Sequence, residues 1–155
     1  CFFERFQRVP WPEVEDKIIR IVRHVPTFMD STGVGDPVVM HVQQKCTAVE
    51  GYQFNPRSKQ ALMENLAVGV QRHRIGLPKL DAHASIEGSN DPRTIMQEMR
   101  DFEYEYTRTG VLYTAPEGLH DDCVCALALA YMCATNNSYQ AVRPHTEPVY
   151  APYAV

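Results

Sequence analysis

Pro26-Thr27-Phe28-Met29-Asp30-Ser31-Thr32-Gly33-Val34-Gly35-Asp36-Pro37 is the stretch on which the fold turns. A brief apolar run ends in an acid, two glycines follow within a polar turn, and Asp36-Pro37 supplies the first turn of a helix. Strand, glycine turn and helix in that order begin an alternation of α and β. The helix runs to about Gln44. Ala48 to Phe54 then reads as a second strand, and Asn55 (cap) with Pro56 (first position) opens a helix through about Arg72, with Leu62, Leu66 and Val70 on its core stripe.

Working outward, Cys1 to Gln7 is aromatic-rich and predicts a strand that stops at Pro10-Trp11-Pro12. A helix follows. Pro12 suits its first turn, Glu13, Glu15 and Asp16 complement its positive end, and Arg20, Arg23 and His24 its negative end. Val14, Ile18, Ile21, Val22 and Val25 fall at helical spacing and predict a buried face, while Trp11 is expected to pack over the sheet edge. On the other side, Ile75 to Leu80 allows a short strand, and Ala82 to Ser89 has no readable pattern. A helix starting at Asp91-Pro92 carries Ile95, Met96 and Met99. Phe102, Tyr104 and Tyr106 alternate with Glu103 and Glu105 as in a half-buried strand, so the aromatics are expected in a sheet core rather than as a base-stacking platform. Val111-Leu112-Tyr113 returns as the second strand of a hairpin. Asp121-Asp122 begin a last, alanine-rich helix through about Ala134. The expected organisation is one domain over 1–135 and an extended tail over 136–155.

Bulk properties agree with a single globular domain. The chain has 155 residues, 45% hydrophobic and 22% charged, which excludes a disordered or collagen-like polypeptide. The longest apolar run, Cys123 to Cys133, is about half of the roughly 20 residues that a bilayer crossing needs. Five cysteines, odd in number and clustered, do not form a secreted disulfide framework. Cys123 and Cys125 are too close in sequence for a zinc knuckle and read as small core residues. Cys1 at the start, with no initiator methionine, suggests a fragment of a longer polypeptide. The net charge of −4 is unevenly spread: residues 1–80 carry 11 Lys/Arg against 8 Asp/Glu, and residues 81–155 carry 4 against 11. The basic half suits phosphates. The acidic half would repel DNA unless divalent cations intervene.

Two acidic positions bear on chemistry. Asp30 ends a strand at the carboxyl edge of a sheet, where open α/β folds bind ligands; the plainer alternative is that it fixes the turn. Asp121 and Asp122 stand at a helix start, where one Asp serves as a cap and two exceed that need. Carboxylates converging from separate elements are what a two-metal phosphodiesterase requires of Mg²⁺ ligands.

Four pieces carry a resemblance: Asp30-Ser31-Thr32-Gly33-Val34-Gly35-Asp36-Pro37-Val38; Ser58-Lys59; Gly110 through Ala115-Pro116 with Gly118; and His120-Asp121-Asp122 leading into Ala126-Leu127-Ala128-Leu129-Ala130. In this order and spacing, from Phe2 to about Met132, the chain resembles the C-terminal nuclease domain of the viral or phage terminase large subunit. The resemblance implies an α/β, ribonuclease H-like mixed sheet flanked by helices, here lacking its first hairpin. It implies cleavage of double-stranded viral DNA during genome packaging with two Mg²⁺ or Mn²⁺ ions, in the cytoplasm of the infected host cell, beside the terminase ATPase domain, small subunit and portal. It further implies that Asp30 is the second acidic ligand and that His120-Asp121-Asp122 supplies the last, with Asp122 favoured over Asp121. The family's first catalytic Asp lies on an earlier strand, and Glu4 is on the wrong strand to replace it, so the site is expected to be short of one ligand. No phosphate-binding G-x-x-x-x-G-K-[ST] loop occurs.

Lys59, Arg57, Arg72, Arg74 and Lys79 surround one acid, Glu64, and either line a DNA path or form a solvated helix face. His120 either orients a neighbouring carboxylate or holds its turn. The competing functions are a non-catalytic DNA-binding or motor-docking module of the same fold and a junction-resolving nuclease.

Overall fold

The computed structural model describes residues 3–6, 8–33, 35–77, 91, 93–108 and 110–136. Its elements are α1 (Trp11–Val22), β1 (Thr27–Asp30), α2 (Gly35–Lys45), β2 (Val49–Tyr52), α3 (Pro56–Gln71), α4 (Arg93–Asp101), β3 (Glu103–Thr107), β4 (Gly110–Thr114) and α5 (Asp122–Asn136). The architecture is mixed α/β: five helices and two small two-stranded sheets.

Strand, turn, helix and strand follow in the expected order as β1, α2 and β2, and the structure adds that β1 and β2 are parallel, with Thr27 to Asp30 aligned with Val49 to Tyr52. Thr27 and Ser31 donate their amides to Ala48 and Tyr52, each at 3.0 Å. By strand geometry the backbone groups of Phe28 and Asp30 therefore face the opposite edge, where no strand pairs among the described residues. Helix α3 has the start its sequence demands: Asn55 Oδ1 accepts from Ser58 N at 2.9 Å and Ser58 Oγ from Asn55 N at 2.8 Å, a reciprocal capping box.

Two apolar clusters hold the fold. Leu62, Met63 and Leu66 of α3 interlock with Val124, Ala128 and Leu129 of α5. Val22, Val42, Cys46 and Val49 join α1, α2 and β2. Of the two cysteines expected as small core residues, Cys123 is buried and Cys125 only partly so; Cys46 and Cys133 are buried as well.

Several expectations are corrected. Residues 3–6 are not a strand. Adjacent Glu4 and Arg5 would put one charge on each face of a strand; instead Glu4 pairs with Lys17, and Arg5 lies 3.6 Å from Glu98 and 3.5 Å from Asp122. Residues 75–77 are not a strand either, while 78–80, the unassigned 82–89 and Lys79 lie outside the described residues. Asn136 belongs to α5 rather than to the tail, whose residues 137–155 are also outside.

A single mixed sheet is not what the described residues form. The β3–β4 hairpin is antiparallel and separate, with Tyr104 opposite Tyr113. It is held to α3, where Gln60 Oε1 accepts from Val111 N at 3.2 Å. Every residue of β3 is exposed, so Tyr104 and Tyr106 (62% and 78% exposed) are not sheet core. Alternation located the strand correctly and assigned it a covered face that it lacks. Likewise Ile21, Val25 and Trp11 are exposed, at 43%, 52% and 59%. No described helix is long and apolar enough to cross a membrane.

Candidate functional site

Asp30 is the last residue of β1, and its Oδ1 accepts from Thr32 N at 2.8 Å. Thr32 Oγ1 in turn accepts from Phe54 N at 2.8 Å, which ties the turn to the end of β2. Gly33 has φ +60°, a backbone that L side chains rarely adopt, and a Cβ on Gly35 would lie 2.6 Å from the Asp30 carbonyl oxygen. The two glycines thus serve the sharp bend and the close approach that follow Asp30. Fixing the turn and presenting a carboxylate at the sheet edge turn out to be compatible roles.

At the other corner, the Asp121 carbonyl accepts the first intrahelical bond of α5, from Cys125 N at 2.9 Å, which makes Asp121 the N-cap residue. Its side chain does not cap the helix. Asp121 Oδ2 accepts from Lys59 Nζ at 2.7 Å. The capping carboxylate comes from α4: buried Glu98 accepts through Oε2 from Cys123 N at 2.7 Å and Val124 N at 3.3 Å. Asp122 is exposed and faces the Arg5 guanidinium at 3.5 Å.

Asp30, Lys59, Asp121 and Asp122 line one cavity of roughly 960 Å³, whose walls include Trp11, Phe28 and Leu129. It runs along β1, to which β2 alone is paired among the described residues, and along a face of α5. Cys125 also faces it, and its thiol is pushed up to about 12, by burial first and then by the charge of Asp121. The Cys123 thiol is pushed up to about 12 as well, by burial and by its hydrogen bond to Glu98.

Asp30, Asp121 and Asp122 therefore line the same cavity, while His120 is left aside, exposed and not lining it. Arg57, Arg72 and Arg74 are exposed. Lys59, grouped with them in the sequence, is turned into the cavity instead. Glu98 and Arg5 escaped sequence reasoning. The signal for Glu98 was an acid beside Met99 in a helix that also carries Ile95 and Met96, a place where a carboxylate needs a buried partner.

Carboxylate oxygens are suitable donors for a hard divalent cation, and three carboxylates line this cavity. Among the described residues, however, no three His, Cys, Asp or Glu side chains gather closely enough to hold a metal ion. Lys59 and Arg5 supply the positive charge at the corner. No protein-family model, curated protein or solved structure matches the chain.

Proposed function

We propose that this chain is a metal-dependent endodeoxyribonuclease of the ribonuclease H-like, terminase large-subunit type, cutting double-stranded viral DNA during genome packaging in the infected cell. The observation that carries the reading is that Asp30, about ninety positions from Asp121 and Asp122 in sequence, shares a cavity with both. Asp30 and Asp122 would hold Mg²⁺ or Mn²⁺, with Asp121 beside them. When bound, such ions neutralise the phosphodiester and acidify water for attack. The chain's own share is to fix the Asp30 turn through Thr32 and the two glycines, and to turn Asp121 off its own helix toward the cavity, where the Lys59 ammonium holds the place a metal ion would take. Exposed Arg57, Arg72 and Arg74 suit the DNA backbone. The terminase ATPase domain, small subunit and portal are the partners that this reading implies.

On this reading the described residues leave the site short of one ligand. In the terminase family the first catalytic Asp stands on an earlier strand, and the cavity runs along β1, to which β2 alone is paired among the described residues. Cleavage by this chain alone is accordingly expected to be weak or absent. The test is calorimetric titration with Mn²⁺: the wild type binds, and Asp30→Asn and Asp122→Ala do not, with the circular dichroism of all three alike. Retained binding in both variants ends the proposal, and robust Mg²⁺-dependent plasmid nicking by the wild type contradicts the incomplete site.

The Lys59–Asp121 pair favours one second reading, a non-catalytic DNA-binding module in which an ammonium has taken the place of a cation. Salt-sensitive DNA binding with no Mn²⁺ uptake would select it.

A further inference from the structure

We infer that Glu98 is a positioning residue that takes over the capping of α5 and so releases Asp121 to the cavity. The inference rests on the metal-site reading above for its consequence and on geometry for its substance. An N-cap aspartate ordinarily accepts from the second and third helical amides. For Asp121 these are Cys123 N and Val124 N, the two donors that Glu98 Oε2 already occupies. Asp121 is thereby left to extend to Lys59, 62 positions away in sequence.

The surroundings of Glu98 fit a dedicated role. At 7% exposure it is the one buried residue of α4, and its Oε1 makes no hydrogen bond among the described residues. The Arg5 guanidinium lies 3.6 Å from that oxygen and 3.5 Å from Asp122 Oδ2, so one cation links the capping acid to the exposed one. A buried carboxylate is a costly way to cap a helix that already has two aspartates at its start. The cost is explicable if both aspartates are needed elsewhere.

The test compares wild type, Glu98→Leu, Glu98→Gln and Val42→Ala, the last chosen to destabilise the second apolar cluster without touching the corner. In Glu98→Leu the freed amides draw Asp121 back onto its own helix, and Mn²⁺ affinity of the folded protein falls roughly tenfold. Glu98→Gln keeps an acceptor and retains wild-type affinity, and Val42→Ala leaves affinity unchanged. Wild-type affinity in Glu98→Leu, or an equal loss in Val42→Ala, overturns the inference while the metal reading stands. If the wild type takes up no Mn²⁺, the metal reading fails, and a crystal structure of Glu98→Leu decides the capping exchange alone. Asp121 bonded to Cys123 or Val124 N upholds it, and Asp121 still on Lys59 overturns it.

Discussion

Lys59 Nζ lies 2.7 Å from Asp121 Oδ2, joining the first turn of α3 to the start of α5, with both side chains only 25% exposed. The pair sits at the mouth of the apolar interface between those helices and neutralises one of the three acids lining the cavity. Lys59→Met keeps most of the aliphatic stem and removes the charge. It is expected to cost about 1 kcal/mol or less, since a partly solvated pair is screened, while tightening Mn²⁺ binding because a competing cation is gone. Thermal denaturation and calorimetry read the two effects separately, and weaker Mn²⁺ binding would show that Lys59 supports the site rather than competing for it.

Asp30 has two functions that substitution can separate. Asp30→Ala loses the hydrogen bond to Thr32 N and is expected to destabilise by about 1 kcal/mol. Asp30→Asn keeps an acceptor for that amide and is expected to unfold close to the wild-type temperature. Both lose the carboxylate, so both are expected to lose Mn²⁺ binding. If only Asp30→Ala loses it, the turn matters and the charge does not.

The part of the site encoded by local signals was legible in the sequence. Asp30 was found from a strand end followed by glycines, and Asp121-Asp122 from an excess of acid at a helix start. What escaped was everything set by contacts between distant elements. That Glu98 rather than Asp121 caps α5 depends on α4 lying across its end, which no spacing within α5 reveals. In sequence Lys59 groups with basic Arg57, Arg72 and Arg74, along a DNA path or a solvated helix face; three-dimensional packing turns it inward. The fold divides the same way. The β1, α2, β2 order, the capping box and the hairpin follow from residue chemistry, whereas the expected mixed sheet depended on pairing between separate strands, and the structure keeps β1–β2 apart from β3–β4.

Gly35 offers a test of how tightly the Asp30 turn is built. A Cβ there would lie 2.6 Å from a backbone oxygen, which cannot swing aside as a side chain can. Gly35→Ala is expected to destabilise by about 1–3 kcal/mol through this clash and to weaken Mn²⁺ binding by displacing Asp30. Substitution at Gly76, where nothing lies within 4 Å, is the control expected to leave both unchanged.

Alkaline pH should expose the buried thiols of α5. Cys123 and Cys125 are both pushed up to about 12 from 9.0, chiefly by burial. Between those values the unfolded chain has lost protons that the folded chain keeps, so stability falls as pH rises. Their contribution is fully present below pH 9.0 and is lost as pH rises through about 12. Tyr52 and Tyr113, also raised by burial, act with the same sign above their ordinary value. Urea midpoints measured upward from pH 8 are therefore expected to fall more steeply for the wild type than for the Cys123→Ala, Cys125→Ala double variant, which retains the tyrosines and lacks the thiols. Parallel slopes would mean that the thiols ionise as readily in the folded chain as in the unfolded one, and that α5 is less closed to water around its first turn than its packing against Glu98 and α3 implies.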